Sequence, residues 1–467
     1  MFFKPQPLHF VGIGGIGMSG LAEVLLALGY RVTGSDLRLS PVTERLTTLG
    51  AKITAGHAAE NVAGVNAVVV TSAAKADNPE LIEARRQGIP IIPRGELLAE
   101  LMRLKFGIAI AGSHGKTTTT SMVAAILTHA GLDPTVVVGG LSATMRGSNA
   151  RVGKSEYLVV ESDESDGSFL KLAPILAAVT NIDREHLDHY ADLDAITSAF
   201  IEFVNKVPFY GAAILCLDDV NVQKILPSVK RRVITYGASA QADLRITQSS
   251  AGHLASEFHL TWRELGGQEQ DLGCFKLHVP GMHNISNATA AVAIALELDV
   301  PVEAIRAGLK EFSGVDRRFQ VKGSEHGVTV IDDYGHHPTE ISATLAAARA
   351  CRYQKVHVLF QPHRYTRTQA LMDEFAGAFH QADTVHLLDI YAASESPIDG
   401  VTSQQLGVRM TASGHKGVHY AGTMEAGIAS VAAAAKPGDA IVTLGAGSVS
   451  QAGSQILQLL KGASHGA

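Results

Sequence analysis

From end to end of the chain, short apolar runs alternate with segments of helical period. This alternation limits the fold to α/β domains built on parallel sheets. The first unit reads LHFVGIGG, a helix through MSGLAEVLLALG, then RVTGSD; strands NAVVVTSA and IPIIPR follow, with the helix ELIEARRQ between them. A helix GELLAELMRLK leads into FGIAIAGSHGKTTTT, where a second strand-turn-helix begins, so a domain boundary is expected near residue 105. YLVVESDES, ILAAVTNID and GAAILCLDD continue that unit. Residues 238–280 change to alternating polar and apolar positions (DLRITQ, EFHLTW, CFKLHVP), the pattern of antiparallel hairpins. After the helix GMHNISNATAAVAIALEL and the link FSGVDRRF, a third set of runs appears: VTVIDDYGHHP, KVHVLFQPHR, TVHLLDIY and AIVTLGAGS. At 467 residues the chain exceeds what one core serves, and three α/β domains are expected over 1–105, 106–314 and 315–467.

Composition excludes several classes. Apolar residues are 46% and charged residues 18%, an ordinary globular balance. A net charge of −6 argues against general nucleic-acid binding, so any phosphate site must be local. Cys216, Cys274 and Cys351 are odd in number and far apart, as free thiols in a reducing compartment would be. The opening MFFKPQPLHFVGIGG lacks the pattern of a secretory leader, and no run of about 18 residues is uniformly apolar. A soluble, cytoplasmic protein without membrane partners is expected.

Two glycine loops carry the chemistry. Gly12, Gly14, Gly15 and Gly17 form G-x-G-x-x-G between a strand and a helix, and Asp36 ends the next strand. Glycine permits the tight turn, the helix N-terminus offers N–H groups to a diphosphate, and Asp36 can accept from a ribose hydroxyl. The motif says diphosphate without saying which, and NAD fits it as well as anything else. The second loop, Gly112-Ser113-His114-Gly115-Lys116-Thr117-Thr118, follows FGIAIA and opens a helix. A strict phosphate loop has glycine where Ile110 stands, so this is a shortened variant. Gly112 and Gly115 still allow a nest of N–H groups, Lys116 can reach the β/γ oxygens, and Thr117 offers a hydroxyl to Mg²⁺. Glu161 at the end of YLVVE and His186 after the next strand are candidate metal ligands. Singly, Glu161 reads equally well as a solvated strand-end carboxylate and His186 more readily as a surface histidine; it is their positions after the two strands following the loop that favour both as ligands.

The sequence resembles the Mur ligases, which build the peptide of the bacterial cell-wall precursor, over its whole length. GSHGKTT is similar to their shortened loop, ESDESDGSFL and TNIDREHLDHY to their metal segments, GMHNISNATAA to their adenine-contacting helix, and DDYGHHPTE and FQPHRYTRT to their carboxy-terminal motifs. The resemblance implies an N-terminal Rossmann-like UDP-binding domain, a central phosphate-loop ATPase-like domain and a C-terminal Rossmann-like domain. It implies UDP rather than NAD at Gly12 to Gly17, ATP phosphates at Lys116, Mg²⁺ at Thr117 and Glu161, and a second Mg²⁺ at His186. It further implies adenine at Asn284 and Asn287, with Tyr334, His336, Arg364 and Arg367 facing the amino acid and the sugar carboxylate. VGIGGIGMSGLAEVL, DYGHHP and PHRYTR point, within the family, to UDP-N-acetylmuramate and L-alanine as substrates. Lys116, Glu161, His186, His336 and Arg364 would then serve an acyl-phosphate reaction, with domain closure keeping water away. Several family members carry a carbamylated lysine about fifteen residues past the metal histidine; here ITSAFIEFV offers none before Lys206. The alternatives are a ligase attaching a whole tripeptide to the same nucleotide, an NAD-dependent dehydrogenase, which leaves Lys116 unexplained, and a non-catalytic nucleotide-binding regulator.

Overall fold

The computed structural model describes residues 6–71, 73–142, 148–252, 254–263 and 267–462. Residues 1–5 of the opening segment and Ser72 of NAVVVTSA lie outside them. Three sheets form, one for each set of runs in the sequence, and the chain is a three-domain α/β protein.

The first sheet holds β1 (Leu8–Val11), β2 (Val32–Asp36), β3 (Lys52–Ala55), β4 (Ala67–Val70) and β5 (Ile91–Pro93) in the order β3-β2-β1-β4-β5. All its pairings are parallel, with Leu8 in register with both Val32 and Ala67. The chain enters at β1, winds to one edge and returns to β4, so the loop after β1 sits where strand order reverses. Ligands of doubly wound sheets bind at such a point.

The second sheet contains β6 (Phe106–Ala111), β7 (Thr135–Ser142), β8 (Ser148–Arg151), β9 (Tyr157–Glu161), β10 (Leu176–Val179), β11 (Ala212–Cys216), β12 (Val233–Gly237), β13 (Leu244–Gly252), β14 (Ala255–Arg263) and β15 (Glu269–Leu277). Its order is β15-β14-β13-β12-β11-β10-β6-β9-β7-β8. The alternating stretch thus becomes three consecutive neighbours at one edge. At the centre, β6 lies parallel between β9 and β10, with Ile110 opposite Glu161 and Ala111 opposite Val179. This strand order delivers Glu161 on one side of the loop after β6 and the 181–186 segment on the other.

The third sheet is β16 (Gln320–Glu325), β17 (Val328–Asp333), β18 (Val356–Phe360), β19 (Thr384–Leu388), β20 (Val418–Gly422) and β21 (Ala440–Leu444), in the order β16-β17-β21-β18-β19-β20. Only β16 runs antiparallel. Central strands such as VHVLF and AIVTL are buried at every position because helices cover both faces. By packing, Met1–Arg245 with Thr261–Gln270 and Asn287–Leu309 makes one compact unit; Ile246–Leu260, Asp271–Ser286 and Lys310–Ala467 make another. In the first unit, one apolar cluster runs from Phe10 and Leu21 to the stacked pair Phe169–Phe203. In the second, Phe360 packs on Phe375 and Phe379. Among the described residues no helix is long and apolar enough to cross a membrane.

A polar knot interrupts the first core. Glu80 is fully buried and accepts from Asn61 Nδ2 at 2.6 Å and Ser35 Oγ at 2.7 Å. His57 Nδ1 lies 2.9 Å and His9 Nε2 3.3 Å from the same carboxylate. Burial alone would raise the Glu80 pKa; the hydrogen bonds from His9, Asn61 and Ser35 outweigh it and lower the pKa to about 2. The knot bears on the first loop, because the Ser35 carbonyl accepts from Gly12 N at 2.8 Å and Ile13 N at 3.0 Å.

Candidate functional site

The loop after β6 turns on two glycines in the left-handed region, Gly112 (φ 128) and Gly115 (φ 84). A Cβ at Gly112 would meet Thr180 Oγ1, and one at Gly115 would meet the Asn287 amide, so both positions exclude side chains. The end of β10 braces the loop. Asn181 Oδ1 accepts from His114 N at 2.8 Å, while Thr180 Oγ1 (2.6 Å) and Asn181 Nδ2 (3.0 Å) donate to the His114 carbonyl. The His114 ring donates from Nε2 to Asp183 Oδ2 at 2.9 Å. The helix Lys116–His129 starts with Gly115 as its N-cap and no acidic residue in its first turn, leaving its positive end toward the loop.

Lys116 Nζ donates to Gly112 O at 2.7 Å and to Glu164 Oε1 at 2.9 Å. Burial would lower its pKa, but Glu164, Asp163, Glu185 and Glu161 together raise it, so the ammonium stays charged. Next to it, Thr117 Oγ1 lies 2.9 Å from both oxygens of Glu161, and Gly139 N donates to Oε2 at 2.6 Å. This hydroxyl–carboxylate pair supplies the hard oxygens that Mg²⁺ takes. His186 (φ 55) brings Nε2 within 3.4 Å of Glu164 Oε1 and 4.0 Å of Glu185 Oε2. Glu164, Glu185 and His186 offer ligand atoms within 4.8 Å of one another, a set that fits a divalent cation. Burial opposes protonation of His186, but hydrogen bonding to Glu164 and the charge of Glu185 raise its pKa.

For a metal held at these two places, Glu161→Ala and His186→Ala should each raise the Mg²⁺ concentration for half-maximal activity about tenfold, since water replaces a lost ligand. Mg²⁺ titration of phosphate release measures this. Wild-type dependence in both variants would place the metal elsewhere.

In the first loop, Gly12 (φ 77) has Thr71 against it, and Gly14 N donates to Asp36 Oδ2 at 2.9 Å. Gly15 N closes the turn on the Gly12 carbonyl at 3.1 Å. A Cβ on Gly17 would lie 3.0 Å from Arg94 Nη1, so the absence of a side chain there lets a guanidinium reach the loop. Asn284 and Asn287 share the helix Met282–Leu296 and are both buried. Asn287 reaches the Gly115 turn, whereas Asn284 Nδ2 donates to Pro280 O at 2.7 Å.

Tyr334, His336, Arg364 and Arg367 gather at the carboxyl ends of β17 and β18. The Tyr334 and His336 rings meet edge-on at 5.0 Å, and Arg317 and Arg318 lie 4.8 and 5.1 Å from the Tyr334 centroid. His363 links the halves, with its ring 6.1 Å from His336 and Nδ1 3.3 Å from Arg367 Nη1. Arg364 Nε donates to Glu395 at 2.6 Å.

Sequence reasoning singled out neither Glu164 nor Glu185, nor Asn181, Arg94, His363 or Glu395. Glu164 and Glu185 lie within the acidic runs ESDESDG and NIDREH; only the strand order distinguishes them from solvated neighbours.

The family model described as "Mur ligase family, catalytic domain" matches residues 7–106, "Mur ligase middle domain" matches 110–295, and "Mur ligase, glutamate ligase domain" matches 317–447. The chain is 65% identical over 461 residues to a UDP-N-acetylmuramate–L-alanine ligase of Solibacter usitatus, covering 99% of this chain and 97% of that protein. It is similar to the crystal structure of a UDP-N-acetylmuramate-alanine ligase from Thermotoga maritima (TM-score 0.78, 28% identity), covering 98% of this chain and all of that one (100%). A murein peptide ligase from Psychrobacter arcticus aligns with TM-score 0.69 and 25% identity, covering 98% and 99% of the two chains.

Proposed function

This chain belongs to the Mur ligase family, and we propose on that premise that it joins L-alanine to the carboxylate of UDP-N-acetylmuramate at the expense of ATP. That is the first peptide step of peptidoglycan precursor synthesis, carried out in the cytoplasm. The observation that carries the reading is the loop at Lys116, where a partly buried ammonium and the Thr117–Glu161 pair sit together at a helix N-terminus. We take 1–105, 106–314 and 315–467 as the nucleotide-sugar, ATP and amino-acid domains.

In the proposed reaction a carboxylate oxygen of the sugar acid attacks the γ-phosphorus, the bond to the bridging oxygen breaks, and ADP leaves an acyl phosphate. The amine of alanine attacks the acyl carbon, its proton is lost, and the C–O bond to phosphate breaks. Lys116 and the loop N–H groups balance charge on the transferring phosphoryl group. Bound Mg²⁺ would add charge neutralisation at the phosphate oxygens, held by Thr117 and Glu161 and by His186 with Glu164 and Glu185. Gly12, Gly14, Gly15, Gly17 and Asp36 would seat the UDP, with Arg94 reaching its diphosphate. Asn287 and Asn284 would flank the adenine. Tyr334, His336, Arg364 and Arg367 would receive the amino acid and the sugar carboxylate.

Guanidinium forks match carboxylates in geometry and charge. Arg367→Ala or Arg364→Ala is therefore expected to raise the KM for the amino acid by roughly ten- to hundredfold, the range set by a charged hydrogen bond of about 1.5–3 kcal/mol. The KM for ATP should change little. Steady-state phosphate release with each substrate varied in turn tests both; a rise confined to ATP would remove these arginines from the amino-acid subsite.

A further inference from the structure

We propose that Glu395 is a positioning residue of the amino-acid subsite, acting through Arg364 to hold the entry to the helix Tyr365–Ala370 in place. The inference rests on the ligase reading given above. It starts from strain: Arg364 has φ 72 and ψ 135, a left-handed backbone that side-chain-bearing residues rarely adopt. Such a conformation persists only where neighbours over-determine it, and it concentrates at functional sites.

Glu395 does much of that determining. Its carboxylate accepts from Arg364 Nε at 2.6 Å, Thr366 Oγ1 at 2.7 Å and Thr366 N at 3.0 Å. The segment leaving β19 is also laid along the segment leaving β18: Arg364 N donates to Tyr391 O and Tyr391 N to Pro362 O, both at 2.8 Å. The His363 and Tyr391 rings stack at 5.5 Å with 13° between their planes. Both segments leave the carboxyl ends of adjacent parallel strands, where doubly wound sheets hold ligands.

The clamp fixes a pair of donors. A guanidinium can only donate, so the Arg367 Nη1 contact makes His363 Nδ1 an acceptor and puts the ring proton on Nε2. Burial, with Arg367, His336 and Arg364 nearby, lowers the His363 pKa to about 4, which keeps the ring neutral. An imidazole N–H beside a guanidinium is a suitable receptor for a carboxylate. Glu395 is itself ionised: burial works against it, but Thr366 and Arg364 lower its pKa to about 2. Its charge offsets that of Arg364, which stands close to Arg367 in the same turn.

The test is a double-mutant cycle on the full-length enzyme, with phosphate release measured while L-alanine, UDP-N-acetylmuramate and ATP are varied separately. Glu395→Gln keeps an acceptor for Thr366 but loses the charge. It is expected to raise the KM for L-alanine about tenfold while the KM for ATP and kcat move less than about twofold. Arg364→Gly adopts the left-handed backbone without strain and removes the arm. Adding Glu395→Gln to it should change the KM by less than about twofold, because the amide still serves Thr366 and the lost charge no longer has a guanidinium to hold. If Glu395→Gln fails to fold, the cycle is run with Glu395→Asp, which withdraws the charge by one methylene and should raise the KM about threefold. An unchanged KM in the Glu395 variants, or single effects that multiply in the double variant, would overturn the proposal. Wild-type enzyme that releases no phosphate with L-alanine would instead refute the ligase reading on which it rests.

Discussion

Lys116→Ala is expected to reduce ligation at least about a thousandfold while leaving UDP-sugar binding intact. The ammonium is the positive centre of a partly buried acidic cluster made by Glu161, Asp163, Glu164 and Glu185. In the proposed reaction alanine removes the charge that would face the transferring phosphoryl group, and it also leaves the Glu164 carboxylate without its 2.9 Å partner. Phosphate binding is then opposed by carboxylates that Lys116 had balanced. The glycine loop read as the UDP site follows β1 of a different sheet, so the nucleotide-sugar should still bind. Turnover and calorimetric titration with UDP-N-acetylmuramate separate the two effects. Near-normal turnover would remove this loop from the reaction, and lost UDP-sugar binding would contradict the independence of the two sites.

The second large effect is on stability. Glu80→Ala should cost about 3–5 kcal/mol, because it strips a buried anion from four partners, of which Ser35 and His9 are themselves buried. Asn61 Nδ2 and Ser35 Oγ would lose acceptors at 2.6 and 2.7 Å, and His9 and His57 would lose their carboxylate. The pH dependence has a definite sign. The folded-state pKa of Glu80, about 2, lies below the ordinary 4.5, so the stabilisation is fully present above about pH 4.5. It fades as pH falls toward 2. The Ser35 carbonyl carries the start of the first glycine loop, so the variant should also bind UDP-N-acetylmuramate more weakly. Urea unfolding at pH 7 and pH 3 checks this: the gap between wild type and variant should narrow at the lower pH. A gap below about 1 kcal/mol at pH 7 would show that the knot contributes little.

The parallel sheets and both glycine loops were legible because their signals are local: apolar runs of strand length, turns that only glycine can make, and helices that begin on them. Lys116 and Thr117 carry their meaning in the loop itself. Glu161 was legible as a strand end, and His186 as a residue of a polar segment just past the next strand. What stayed hidden depends on strand order. β10 and β9 flank β6 although β7 and β8 intervene in sequence, and that arrangement brings Glu164, Glu185 and Asn181 to Lys116. Glu395 is hidden for the same reason, thirty-one positions from Arg364 yet within hydrogen-bonding distance because β18 and β19 are neighbours. β7 and β8 were not anticipated either: glycines at 139 and 140 interrupt the one, and polar SNAR makes up the other.

The most direct test of the central claim is to give purified enzyme ATP, Mg²⁺, UDP-N-acetylmuramate and one amine at a time, and to follow phosphate release. A subsite that fixes the carboxylate of a single residue has little room for a tripeptide, whose terminal carboxylate lies two residues further out. Discrimination among small side chains should be weaker, because a methyl more or less in a pocket is worth about 1–3 kcal/mol. L-Alanine is therefore expected to give the highest kcat/KM, with glycine and L-serine poor substrates and L-Ala-γ-D-Glu-diaminopimelate inert. Equal efficiency with that tripeptide and with free L-alanine would contradict the account.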